Sequence, residues 1–105
     1  MDQSDLFRAL ADPTRRAVFE HLAEREMSVS ELTARFNVSQ PAISQHLTAL
    51  RNAGLICARR EGRNAFYRSD PKGLEPLADW VSHYRALWPA RIEKLKRVLK
   101  EMDRE

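Results

Sequence analysis

At 105 residues, 43% of them apolar, the chain holds enough material for one domain around a single small core. Its one cysteine excludes an internal disulfide framework and a Cys-rich zinc site. No apolar run approaches the ~20 residues of a membrane span, and the acidic, polar start is unlike a signal peptide, so a cytoplasmic protein with no membrane association is expected. The net charge of +3 is small but unevenly placed. Between Arg51 and Arg68, five arginines (51, 59, 60, 63 and 68) face one acid, Glu61, and the rest of the chain is slightly negative. A concentrated basic patch of this kind is the electrostatic footprint of a nucleic-acid partner.

In chain order, Leu6-Phe-Arg-Ala-Leu-Ala predicts a short apolar helix. Asp12-Pro13 opens a second, with Asp as N-cap and Pro at the first helical position, and Val18 and Leu22 fall on its inward face. Arg15 and Arg16 sit near its start, where they suit a phosphate or serve as plain surface charge. From Ser28 to Arg51 the sequence SVSELTARFNVSQPAISQHLTALR predicts a short helix, a tight turn and a second helix. Ser28 and Glu31 fit a capping box, in which each satisfies an orphan backbone donor of the other. Ser39 is a good N-cap, Pro41 falls in the first turn, and Gly54 ends the helix. Asn37 is expected to help the turn by tolerating left-handed backbone.

The second of these helices divides around its axis. Ile43, Leu47 and Leu50 follow the i, i+4, i+7 rule and must be buried. At about 100° per residue, Pro41, Ser44, Gln45, Thr48 and Asn52 fall on the opposite side. A solvated helix face usually carries long Lys and Glu side chains. This one carries short groups that both donate and accept hydrogen bonds, which is what base edges in the major groove require. His46 lies nearer the apolar side and reads as a packing residue.

Leu55-Ile-Cys-Ala-Arg-Arg and Asn64-Ala-Phe-Tyr-Arg-Ser are β-prone runs flanking Glu61-Gly62-Arg63, a hairpin signal. An isolated hairpin is marginal in water, so it should pack on the helices through Ile56, Phe66 and Tyr67. Its tip would carry Arg60, Arg63 and Asn64, placed to reach phosphates or the minor groove, or merely to keep an exposed hairpin soluble. Cys57 lies within the first strand. It reads as a small buried hydrophobe, or as a thiol sensor activated by Arg59 and Arg60.

The last third predicts one long helix over about 74–102, kinked or interrupted near Pro89, which lacks an N–H and crowds the preceding turn. Leu77, Trp80, Val81, Tyr84, Leu87 and Trp88 form an aromatic stripe that Ile92, Leu95, Val98, Leu99 and Met102 extend. A domain this small cannot cover such a surface alone, so a two-fold dimer is expected, with Leu6, Phe7, Trp80, Tyr84, Leu87, Trp88 and Leu95 at the contact. No nucleophile–base pair, carboxylate dyad or glycine-rich phosphate loop stands at usable spacing, so an enzyme is not expected.

Taken together, Leu10-Ala-Asp-Pro-Thr-Arg-Arg, the SxSELTxxF segment, SQPAISQHLTALRNAGLI and the REGRNAFYR hairpin resemble the ArsR/SmtB family of bacterial winged helix-turn-helix repressors. The resemblance runs from about Leu6 to Arg68. It implies a mainly α fold with a small β-hairpin: four helices, a helix-turn-helix over about 28–53, a two-stranded wing over about 55–69 and a C-terminal dimerisation helix, all in one domain spanning 1–105. It further implies a homodimer on a palindromic operator in double-stranded DNA, often its own promoter, released by an effector the sequence does not identify. Ser39, Gln40, Pro41, Ser44, Gln45 and Thr48 would then face the major groove, with Arg51, Arg60, Arg63 and Asn64 as flanking contacts. The chain departs from the family's metal sensors. The helix before the reading helix, Glu31-Leu-Thr-Ala-Arg-Phe-Asn, holds no cysteine, and Asp79 and His83 are only half of a ligand set. No metal and no cofactor are expected. The alternatives are a winged-helix protein-interaction module, or a repressor that responds through the Cys57 thiol.

Overall fold

The computed structural model describes residues 3–87 and 89–104. Two helices lead the chain, α1 (Gln3–Ala11) and α2 (Pro13–Glu24). The Asp12 side chain accepts the Arg15 N–H at 2.9 Å and so caps α2, with Pro13 in the first turn. A two-residue strand β1 (Met27–Ser28) runs into α3 (Val29–Arg35). The Ser28 hydroxyl accepts the Glu31 N–H while the Glu31 carboxylate accepts the Ser28 N–H, each at 3.2 Å, the reciprocal box its spacing predicts. Helix α4 (Gln40–Asn52) is capped by Ser39.

Gly54 ends α4 with φ +77°, and the N–H groups of Gly54 and Leu55 return to the carbonyls of Arg51 and Leu50. The wing follows as β2 (Ile56–Glu61) and β3 (Asn64–Ser69), with Gly62 alone in the turn at positive φ. A 3₁₀ turn at Pro71–Leu74 leads to α5 (Glu75–Leu87) and α6 (Pro89–Arg104).

The C-terminal segment carries α5 and α6 on either side of residue 88, with Pro89 at the first position of α6, where its missing N–H costs little. The mainly α architecture with a winged helix-turn-helix is as the sequence leads one to expect, and three details differ. The sheet has three antiparallel strands in the order β1-β3-β2, because Met27 pairs with Tyr67 and Ser28 with Phe66. The turn between α3 and α4 needs no left-handed Asn37. Among the described residues no non-glycine has positive φ, and extended Phe36 (φ −114°, ψ 144°) ends α3 instead. Leu6 is only 1% exposed within the chain itself and belongs to the core, whereas Phe7 beside it keeps 41% of its surface.

The core joins Leu6 from α1, Val18, Phe19 and Leu22 from α2, Met27, Leu32, and Leu55 and Ile56 at the wing's base to the inner face of α4. That inner face is Ile43, Leu47 and Leu50, none more than 2% exposed. Truncating any of the three to Ala removes about 2–5 kcal/mol. The burial fixes the rotation of α4, and therefore which side chains it presents to solvent.

Candidate nucleic-acid interface

With its apolar face locked inward, α4 turns Gln40, Pro41, Ser44, Gln45, Thr48 and Asn52 outward, all exposed. Ser44, Gln45, Thr48, Ala49 and Asn52 line a shallow trough of about 370 Å³ along the helix. The Thr48 hydroxyl donates to the Ser44 carbonyl at 3.0 Å. Thr48 thus offers outward a methyl and an acceptor, suited to a thymine methyl or an amino group. Ser39 is engaged at the start of the helix, where its hydroxyl accepts the Ala42 N–H at 3.3 Å. His46 is half-buried beside the core and does not join the outer row, as its position on the helical wheel predicts.

A groove of about 250 Å³ links this row to the wing. It is lined by Ser28 and Ser30 at the start of α3, Gln40 at the start of α4, and Arg63 and Asn64 at the wing tip. Arg60 and Arg63 are exposed, and among the described residues neither forms an ion pair. Arg51 is exposed in the last turn of α4. Of the ten residues expected to meet nucleic acid, Ser44, Gln45 and Thr48 share the trough, and Gln40, Arg63 and Asn64 share the groove.

Arg59 behaves differently. Its guanidinium donates to both carboxylate oxygens of Glu26, to Glu61 at 2.9 Å, and lies 4.9 Å above the centre of the Phe66 ring. It holds the wing to the segment before β1 rather than standing free as a cation. Sequence gave no signal for this pairing, whose members lie 33 residues apart. The Arg59 hydrogen bond holds the Glu26 carboxyl below its usual range and raises the guanidinium in turn. The Arg15 N–H holds Asp12 down in the same direction, with the charges of His46 and Arg15 adding to it. Both carboxyls therefore ionise more readily folded than unfolded. Their contribution to stability is present above the unfolded pKa of about 4 and is lost as pH falls through the lower folded values. Thermal melts from pH 6 downward should show a loss setting in below about pH 4, and Asp12→Asn with Glu26→Gln should reduce it. An equally steep loss in the double variant would assign the acid lability to other groups.

Cys57 is half-buried in β2 and pairs across the sheet with Arg68. On α5, Asp79 and His83 are exposed, and the His83 ring meets Tyr84 edge to face. His21 stacks edge to face on Phe36. Among the described residues no three His, Cys, Asp or Glu side chains converge as a metal site would require.

Away from the trough, α5 and α6 carry a broad apolar face. Trp80, Val81, Tyr84, Ile92, Leu95, Val98, Leu99 and Met102 are each 37–64% exposed. Phe7 meets Trp80 edge to face at 5.2 Å, and Trp80 meets Tyr84 at 4.8 Å, so α1 and α5 present one aromatic surface. Leu77 instead turns toward the core. The Leu87 side chain and Trp88 lie outside the described residues.

Residues 12–57 match the family model of bacterial regulatory proteins of the arsR family. The chain is similar to the HTH-type transcriptional regulator Rv2034 of Mycobacterium tuberculosis, 48% identical over 68% of this chain and 66% of that protein. It is similar to the transcriptional repressor SdpR of Bacillus subtilis, 31% identical over 77% of this chain and 90% of that protein. Among solved structures it resembles an ArsR-like transcriptional regulator from Rhodococcus sp. RHA1, with a TM-score of 0.73, 33% identity and 90% of each chain covered. The chain spans slightly less than two thirds of the mycobacterial regulator's length. Among the described residues no helix is long and apolar enough to cross a membrane.

Proposed function

The chain belongs to the arsR family of bacterial regulatory proteins, and from that premise we propose that it is a cytoplasmic, dimeric repressor that reads a palindromic operator through α4. One observation carries the reading: Ser44, Gln45, Thr48 and Asn52 stand exposed in a row directly behind a fully buried Ile43, Leu47 and Leu50, with Arg60 and Arg63 uncommitted on the wing beside them. Short donors and acceptors choose bases, and arginines at the wing tip supply phosphate attraction and minor-groove reach. A dimer built through Phe7, α5 and α6 would set two α4 helices about 34 Å apart, one turn of B-DNA, so that both enter the major groove on one face. Bound over a promoter, it excludes polymerase with no chemical step.

The metal sites of the family's sensors do not fit this chain. Helix α3 has no cysteine, and Asp79 and His83 lack further ligands among the described residues.

The test is fluorescence anisotropy on the DNA upstream of the protein's own gene, with random duplex as competitor, across a salt series. Tight binding that survives competitor, with a steep salt slope, supports a sequence-specific regulator. Binding lost equally to random DNA overturns the reading in favour of a protein-docking module. Within that assay Gln45→Ala should relax choice at one base pair by about 1–3 kcal/mol. Arg63→Gln should weaken binding to all sequences and lower the log–log salt slope by about 0.9 per half-site, about 1.8 for the dimer. Equal losses on operator and random DNA for both variants would sink this division of labour.

A further inference from the structure

A second basic cleft opens at the end of α4 opposite the wing. Asp5 and Arg8 on α1, Arg15 on α2 and Ala49 and Asn52 on α4 line a depression of about 310 Å³. Ala49 and Asn52 also line the trough over the outer face of α4, so cleft and trough are continuous. The Arg15 backbone N–H is spent on Asp12, but its side-chain Nε is withdrawn from solvent without a hydrogen-bond partner. Among the described residues neither Arg8 nor Arg15 forms an ion pair. A buried donor left unsatisfied costs stability, and a phosphate oxygen is the acceptor for which a guanidinium fork is shaped.

The placement says which phosphate. Helix α4 has 13 residues and is thus about 20 Å long, with the wing groove at Gln40 and this cleft at Asn52. A helix of that length bridges a major groove about 12 Å wide, so its two ends meet the two backbones that border the groove. We propose that Arg8 and Arg15 form a second phosphate clamp, holding the DNA strand across the major groove from the wing. The clamp rests on the reading that α4 binds DNA. Asp5 at the same cleft opposes it, limiting attraction for DNA of any sequence.

Anisotropy of the full chain on operator and random duplexes across a salt series tests this. Arg8→Gln with Arg15→Gln should lower the log–log salt slope by about 1.8 per half-site, about 3.6 for the dimer, with the operator-to-random ratio unchanged. Arg15→Lys should keep the slope, because a point charge suffices for a phosphate. Asp5→Asn should tighten binding to both duplexes about threefold, a gain that misfolding cannot produce. Phosphate ethylation interference should lose one or two positions in the double variant, on the strand opposite those that Arg63→Gln removes. An unchanged slope in the double variant, or no gain in Asp5→Asn, overturns the clamp while leaving the α4 reading intact. A wild-type protein without salt-dependent preference for its operator overturns both.

Discussion

Tyr84→Glu combined with Leu95→Glu is expected to turn the protein into a folded monomer that binds its operator about a thousandfold more weakly. Tyr84 is 44% and Leu95 58% exposed within one chain, so neither change opens the core, and the melting temperature at low protein concentration should hold. In a dimer each would bury an unpaired carboxylate, a penalty of about 3–5 kcal/mol per site that no contact there offsets. The DNA effect follows by geometry. Two half-sites linked through one dimer bind with an avidity of roughly 10²–10⁴ over a single half-site, and a monomer forfeits it. Sedimentation equilibrium and anisotropy on full and half operators measure the two parts separately. A double variant that sediments with wild-type mass would remove α5 and α6 from the interface.

This apolar face was legible in the sequence because helical periodicity is a local signal: Trp80, Tyr84, Leu95 and Leu99 declare one side of a helix without reference to any other segment. The same holds for the caps at Asp12, Ser28 and Ser39 and for the inward row of α4, where a side chain's role follows from neighbours three or four residues away. What escaped depends on distant pairing. Met27 and Ser28 form a strand only because β3 runs beside them, some forty residues later, and two residues carry no period of their own. Arg59 looks in sequence like one more wing cation, but Glu26 claims it from 33 residues away. Leu6 and Phe7 are adjacent and equally apolar, and only the angle at which α1 packs decides that Leu6 faces the core and Phe7 the surface. The clamp at Arg8 and Arg15 was half visible. Arg15 stands out at the start of α2, but the cleft exists because α1 and the end of α4 converge on it.

Gly73→Ala is expected to be the most costly single-methyl addition in the chain, lowering stability by about 3 kcal/mol and the melting temperature by roughly 15 °C. A Cβ at that position would lie 2.1 Å from the Gly54 carbonyl oxygen, 2.9 Å from its carbon and 3.0 Å from the Leu55 Cα. All three are backbone atoms, so no rotamer change relieves the collision. Nor can the backbone yield easily. Gly54 and Leu55 are tied to the last turn of α4, the Asp70 N–H donates to the Leu55 carbonyl at 2.9 Å, and the Gly73 N–H donates to Asp70. Gly62→Ala is the contrast. A Cβ there meets nothing within 4 Å, and its φ of +63° costs only about 1–2 kcal/mol. Differential scanning calorimetry of the two variants separates collision from local strain, and a Gly73→Ala melt within a degree of wild type would refute the contact. The junction matters beyond stability, because Gly73 against Gly54 is where the exit of the reading helix rests on the turn that leads into α5. Forcing them apart tilts α4 against the face proposed to pair in the dimer. The folded fraction of Gly73→Ala at low temperature should therefore keep its affinity for a half-site but lose its preference for the native half-site spacing. A variant that retains the spacing preference would show that the dimer sets the distance between reading helices without this contact.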